Sequence, residues 1–74
     1  YGTRNNKLAI EQLKKFIQQY PQHERIPDAL LTLGSAQIES GQKKAGMATL
    51  TQLIQKYPNN PATQTAQKVV DKNQ

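Results

Sequence analysis

Cysteine and tryptophan are absent from this 74-residue sequence, and acidic residues and long apolar runs are scarce. Without cysteine the chain can form no disulfide and can offer no thiolate to a metal. No stretch approaches the ~18 consecutive apolar residues that indicate a membrane-spanning helix. We therefore expect no disulfide framework, no thiolate metal site and no membrane insertion. Because the chain opens at Tyr1 and not at Met, we also expect a piece of a longer protein or a mature product.

Large apolar side chains are also few. Leu, Ile, Val and Phe together make up 15 of the 74 residues, close to the ~20% below which chains tend to be disordered. A domain of this size buries only roughly 60–65% of the surface of its unfolded chain. We expect residues 1–74 to form a single domain with a thin core.

Residues with the chemistry of an active site are sparse and scattered. His23 is the only histidine, and it lies in a polar connector beside Glu24 with no serine within a few positions. The five carboxylates show no pairing typical of a metal site or of a glycosidase. The four glycines form no phosphate-binding loop. The sequence therefore predicts that the protein is not an enzyme and has no catalytic residue, no metal and no cofactor.

Basic residues outnumber acidic ones by ten to five, which gives a net charge of +5. They are spread along the chain in runs of two at most, without the interleaved aromatic residues on which bases stack. We favour a solvated basic face that attracts an acidic protein partner, and we expect no nucleic acid. An electrostatic binder of nucleic acid or of the peptidoglycan surroundings is an alternative that would depend on Lys43 and Lys44 and on salt.

Apolar spacing predicts four helices and no strand. The first helix has apolar residues at i, i+4, i+7, i+8 and i+11 from Ala9 onward, with Asn5 or Asn6 as its cap and Pro21 at its end. Gly41 can adopt the left-handed backbone conformation that commonly ends a helix, and so it predicts the end of the second helix. The other three predicted helices cover residues 27–40, 43–57 and 61–72, and Asn60 followed by Pro61 is the predicted cap of the last one. The last of these has a weak apolar stripe and a polar outer face, which is typical of a helix that caps a core.

An internal repeat links the first and third helices. Residues 7–21 superpose on residues 44–58, and six of the 15 aligned positions are identical. Leu13 aligns with Leu50, and Phe16 aligns with the apolar Leu53. A repeat of this period is typical of helical arrays, in which neighbouring hairpins complete one another's core.

The residues around the second copy resemble a tetratricopeptide repeat (TPR) and lie in its register. The matching residues are Leu30, Leu33, Gly34, Gly41, Gly46, Leu50, Leu53 and Pro58. The resemblance implies an all-α fold of TPR-like antiparallel helical hairpins, a fragment of a right-handed α-solenoid, that acts as a non-catalytic scaffold for protein–protein interaction. The implied divisions are the second half of a first repeat, a complete repeat and a C-terminal capping helix, at residues 1–23, 27–60 and 61–72.

Two residues depart from the family pattern, and Glu24-Arg25-Ile26 lengthens the unit of about 34 residues. Gln37 stands where the family usually has an aromatic residue, and Gly46 stands where it prefers alanine. These departures predict loose packing between the second and third helices. Gly34 and Gly46 themselves are expected where the two helices approach each other closely.

The Tyr-Pro junctions give a narrower resemblance. Tyr20-Pro21 and Tyr57-Pro58, with the residues around them, are similar to the C-terminal repeat domain of the Tol-Pal system coordinators, the YbgF/CpoB family. This resemblance implies a periplasmic scaffold in cell division that binds TolA or another envelope protein. The same junctions are similar to the repeat lipoprotein of the outer-membrane β-barrel assembly machinery, which implies the alternative of an oligomerisation or structural segment.

The first half repeat lacks its first helix, so we expect the apolar stripe from Leu13 to Tyr20 to be partly exposed. Exposure of two such side chains forgoes roughly 3–6 kcal/mol of burial. We therefore expect the chain to self-associate through this edge as a homo-oligomer, or to receive a helix from another chain.

The resemblance also implies where a partner binds. In arrays of this family the first helix of each hairpin lines the concave surface, which here is the helix over 27–40. Leu31 and Ile38 are one heptad apart and off the core stripe, so they either anchor a partner helix or pack against a neighbouring repeat. The candidate partner-binding residues are Asp28, Leu31, Thr32, Ser35, Ile38 and Glu39.

Overall fold

The computed structural model describes residues 3–73, with the side chains of residues 7–73. Four α-helices follow one another, and the described residues contain no strand. The helices are α1 (Thr3–Gln19), α2 (Ile26–Glu39), α3 (Lys43–Lys56) and α4 (Pro61–Asn73). The predicted all-α, TPR-like fold is confirmed. The part of the predicted first half repeat at residues 1–2 lies outside the described residues.

Each helix packs against the next one along the chain. The most extensive contact joins α2 and α3, followed by the contact between α1 and α2. The last helix, α4, packs against α3 and also reaches α2, whereas α2 is the one described helix that α1 contacts. The helices thus form a short array in which α2 and α3 occupy the middle.

The sequence signals for helix ends agree with the structure at the end of α1, at Gly41 and at Asn60, but not at the start of α1. Gly41 has a φ of 92°, the left-handed conformation that glycine adopts without strain, and its N–H donates to the carbonyl of Ile38 at 3.2 Å. Asn60 caps α4, because its Oδ1 accepts from the backbone N–H of Ala62 at 2.8 Å. The prediction that Asn5 or Asn6 caps α1 is wrong. The described part of α1 already includes both asparagines, and no proline or glycine at residues 3–6 interrupts the helix.

The core lies between α2, α3 and α4. Leu50 and Leu53 of α3 are 0% exposed. They contact buried residues of both flanking helices, including Leu30 of α2 and Ala66 of α4. A smaller cluster joins Ile10 of α1 to α2. The two leucines that the internal repeat singles out in α3 are therefore the centre of the domain.

Two glycines let α2 and α3 come together at backbone distance. A Cβ added to Gly46 would lie 2.6 Å from the carbonyl oxygen of Gly34 and 2.5 Å from Cγ1 of Ile38. A Cβ added to Gly34 would lie 2.6 Å from Cγ and Cδ2 of Leu50. Real Cβ atoms do not make contacts this short, so both positions require glycine at this helix separation. The predicted close approach is confirmed.

The expectation of loose packing between α2 and α3 is wrong. Gln37 is only 4% exposed, and its Oε1 accepts from Oγ1 of Thr49 on α3 at 2.7 Å. A buried amide that finds a partner avoids the penalty of an unpaired polar group. The side chain thus fills the interface in place of an aromatic ring, and Gly46 draws the helices closer than alanine would.

Gly46→Val is expected to lower the free energy of unfolding by about 2 kcal/mol, because the added carbons meet the Gly34 backbone, which cannot rotate away. Chemical denaturation monitored by circular dichroism measures this loss. Ala48→Val is the control, since Ala48 is exposed on the same helix and valine there costs only about 0.6 kcal/mol of helix propensity. Equal losses in the two variants would contradict the close contact.

Asn60→Ala is expected to lower the free energy of unfolding by about 1 kcal/mol, because the N–H of Ala62 loses its acceptor. Asn60→Asp keeps a capping oxygen and should stay close to the parent chain in the same denaturation assay. Asn59→Ala serves as the control, since Asn59 is exposed and outside the cap. A larger loss for Asn59→Ala than for Asn60→Ala would show that α4 is not capped as described.

Candidate functional site

The outer face of α2 carries a stripe of polar residues. Asp28, Thr32, Ser35 and Glu39 recur at i, i+4, i+7 and i+11, which places them along one side of the helix. Asp28, Thr32 and Glu39 are exposed, and Ser35 is partly buried. All four residues are among the six candidate partner-binding residues, and the stripe runs the full length of α2.

A groove lies beside the C-terminal half of this stripe, between α2 and α4. Its volume is about 310 Å³ and it is open to solvent. The residues that line it are Ser35, Ile38 and Glu39 of α2 and Val69, Lys72 and Asn73 of α4. A space of this size lies at the lower end of the range for ligand sites. It admits one or two side chains of a partner and leaves the rest of the partner on the surface.

The groove has an apolar floor and a charged rim. Ile38 and Val69 are partly buried and pack against the main core, so the floor is fixed by the fold. Glu39 and Lys72 lie on opposite helices and carry opposite charges. Asn73 is held in place because its Nδ2 donates to the carbonyl of Val69 at 2.8 Å. This arrangement can take an apolar side chain and orient the charges that flank it.

Two other features, a metal site and a membrane-spanning helix, are absent from the described part of the chain. Within residues 3–73, no three His, Asp or Glu side chains come together as ligands for a metal ion. None of the four helices is long and apolar enough to cross a membrane, as far as these residues are described.

Half of the six predicted partner-binding residues line the groove. Ser35, Ile38 and Glu39 meet there, whereas the other three lie further toward the N-terminus of α2. Leu31 is partly buried and packs against the main core together with Ile38. The structure therefore gives both apolar residues a packing contact within the chain, and Ile38 also faces the groove.

Sequence reasoning missed the residues that α4 contributes. Val69, Lys72 and Asn73 follow the spacing i, i+3 and i+4 of one helix side. The available signal was Val69, which belongs to the predicted apolar stripe of the last helix. Because the last helix was predicted only to cap the core, the side of α4 that lines the groove was not considered.

The sequence profile of the tetratricopeptide repeat family matches residues 1–23 and 28–60. The chain belongs to this family. The TPR is a non-catalytic scaffold fold, and TPR repeats generally mediate protein–protein interaction. No curated protein matches the chain. In the TPR match, α2 is the first helix of the repeat at 28–60, and α4 follows that repeat beside it.

Ile38→Ala is expected to lower the free energy of unfolding by about 1–2 kcal/mol, because the partly buried side chain covers Gly46 and touches the core. Thermal and chemical denaturation measure this loss. Thr32→Ala is the control on the exposed side of α2 and should not lower stability, since alanine gains up to about 0.7 kcal/mol of helix propensity there. An Ile38→Ala variant as stable as the parent would contradict the packing role of Ile38.

Proposed function

We propose that this TPR module is a periplasmic scaffold of the Tol-Pal system that binds TolA, or another envelope protein, through the groove between α2 and α4. The observation that carries this proposal is the groove itself, which combines an apolar floor with a rim of Glu39 and Lys72. The Tyr-Pro junctions at Tyr20-Pro21 and Tyr57-Pro58 support the choice of the Tol-Pal coordinators and of the periplasm.

The partner presents an apolar side chain to Ile38 and Val69 and keeps polar groups toward the rim. The six residues Asp28, Leu31, Thr32, Ser35, Ile38 and Glu39 remain the proposed partner side of α2, and the groove adds α4 to it. Since the chain carries a net charge of +5, an acidic partner segment is attracted at long range and associates faster than a basic one.

An amide NMR titration of the labelled chain with TolA tests the proposal. We expect saturable shifts that cluster on the facing sides of α2 and α4. Lys72→Glu should raise the Kd about tenfold, on the order of 1.4 kcal/mol, because it reverses a charge on the groove rim. Lys68→Glu is the matched control, since Lys68 is an exposed residue one turn earlier on α4 and does not line the groove.

Each outcome of this titration has a clear meaning. Shifts confined to the groove, with a loss of affinity in Lys72→Glu but not in Lys68→Glu, support the scaffold and the partner together. A well-dispersed helical spectrum that ignores TolA would show that the Tol-Pal partner is wrong. Equal losses in both variants would place the binding outside the groove.

A second candidate function is association through α1, either with a second copy or with a helix from another chain. The repeat lipoprotein of the β-barrel assembly machinery is the alternative relative for such a structural segment. The observation that favours it is the exposure of Leu8 and Tyr20, which are 56% and 54% exposed. Leu8 belongs to α1 and Tyr20 directly follows its last residue, and α2 is the one described helix that packs against α1.

A further inference from the structure

The two sides of the groove between α2 and α4 differ in charge. The helix α2 contains no lysine or arginine, and both of its carboxylates, Asp28 and Glu39, are exposed. On α4 the charged residue that lines the groove is Lys72, which is also exposed. The one carboxylate of α4 belongs to Asp71, which does not line the groove and whose Oδ1 accepts from Nε2 of Gln67 at 3.0 Å. One side of the groove is therefore acidic and the other is basic.

The two charged side chains lie at the mouth of the groove, above its apolar floor. Successive residues are about 100° apart around a helix, so Glu39 lies further round α2 than its neighbour Ile38. In the same way, Lys72 lies about 60° round α4 from Val69, which is three residues earlier. Both floor residues are partly buried and pack against the core, whereas both charged residues are exposed. A ligand that reaches the floor therefore passes between the two charges.

The line that joins the two charges crosses the groove. Short turns at residues 40–42 and 57–60 join α3 to α2 and to α4. Helices joined by short turns are antiparallel neighbours, so α2 and α4 run in the same direction. Glu39 lies about 1.5 Å beyond Ile38 along its helix, and Lys72 lies about 4.5 Å beyond Val69. Both charges are thus displaced from the floor toward the same end of the groove, one on each side of it.

An extended segment fits this arrangement. In an extended chain every second side chain points to the same side, and these side chains are about 7 Å apart. The axes of two packed helices, such as α2 and α4, are about 8–10 Å apart. Three side chains at i, i+2 and i+4 therefore span roughly 13 Å. This length brings the central side chain to the floor and the outer two to opposite sides of the groove.

A helix fits the groove less well than an extended segment does. An amphipathic helix anchors itself through apolar side chains on successive turns, at i, i+3, i+4 and i+7, and so needs a long apolar floor. The residues that line this groove include one apolar residue from each helix, Ile38 and Val69, and the polar Ser35 lies about one turn before Ile38. The groove therefore provides a place for a single apolar anchor.

We infer that the groove binds an extended segment of the partner in which an apolar residue has a basic residue two positions to one side and an acidic residue two positions to the other. The apolar side chain rests on Ile38 and Val69, the basic one lies beside Glu39 and the acidic one beside Lys72. This inference rests on the proposed function and names the kind of sequence that the partner presents. The net charge of +5 acts differently, because at long range it favours a wholly acidic segment.

Three synthetic peptides with blocked ends separate the two effects. Each has a central leucine on a serine background and a charged residue two positions to either side of it. The mixed peptide carries Lys and Glu, the acidic peptide carries two Glu and the basic peptide carries two Lys. Each is titrated into the labelled 74-residue chain and followed by amide NMR at about 0.15 M salt, where charges more than about 8 Å apart are largely screened. We expect the mixed peptide to bind with a Kd about threefold lower than that of either other peptide, with shifts on the facing sides of α2 and α4.

Matched variants assign each preference to one side of the groove. Glu39→Gln should remove the advantage of the mixed peptide over the acidic one and keep its advantage over the basic one. Lys72→Gln should do the reverse. Glu24→Gln and Lys68→Gln are the controls, because they remove the same charges from exposed residues that do not line the groove, and both advantages should persist in them. Circular dichroism verifies that each variant stays folded.

The outcomes separate this inference from the proposed function. Tightest binding of the acidic peptide, equal Kd values for all three, no binding of the mixed peptide, or shifts away from the groove would each overturn the inference. If TolA nevertheless binds in the groove, the proposed function stands without it. If the mixed peptide binds as expected and TolA does not, the charge pattern stands and the Tol-Pal partner is wrong. A chain that binds neither TolA nor any of the peptides would overturn both.

Discussion

The backbone contact between α2 and α3 at Gly34 and Gly46 is the constraint on which the rest of the domain depends. Because neither residue has a side chain, the two helices approach until the carbonyl oxygen of Gly34 lies against Gly46. At this separation Leu50 can fill the space between them completely. The rest of the core, from Ile26 to Val70, is arranged around this pair of helices. A chain with so few large apolar residues reaches full burial at its centre because the helices are close, not because its side chains are large.

The same contact also shapes the groove in which we propose that a partner binds. Ile38 lies over Gly46 and at the same time forms the floor of the groove with Val69. The floor is thus the edge of the core, and the charged rim is set by the helix ends that follow it. A substitution of Ile38 would therefore affect both the packing of the core and the proposed binding of a partner.

Periodicity and end signals predicted most of the architecture. The array of hairpins follows from the identities between residues 7–21 and 44–58. The start of α4 follows from Asn60-Pro61, since both signals reflect a local physical requirement. The start of α1 was missed, because an asparagine near a helix end is compatible with both a cap and a first turn. The tight α2–α3 contact was missed because Gln37 was read against the family pattern, whereas its bond to Thr49 depends on a residue in another helix.

The groove could be predicted only in part for a similar reason. Ser35, Ile38 and Glu39 share one helix, and their spacing reveals a common side. Val69 and Lys72 join them through the angle at which α4 meets α2, and no spacing within one helix encodes that angle. The sequence of one helix can therefore predict a stripe of residues, but a groove also depends on how two helices pack.

The packing of α1 against α2 alone also bears on how the domain opens. In an array of this kind, stability is a sum over neighbouring helices, so an end helix with one neighbour is held by one interface. The middle helices are held by two or more. Opening of α1 therefore needs less free energy than global unfolding, and its backbone amides exchange with solvent before those around Leu50 and Leu53. The local stability therefore differs along the domain: it is highest in the middle helices, and α1 can detach while they remain folded.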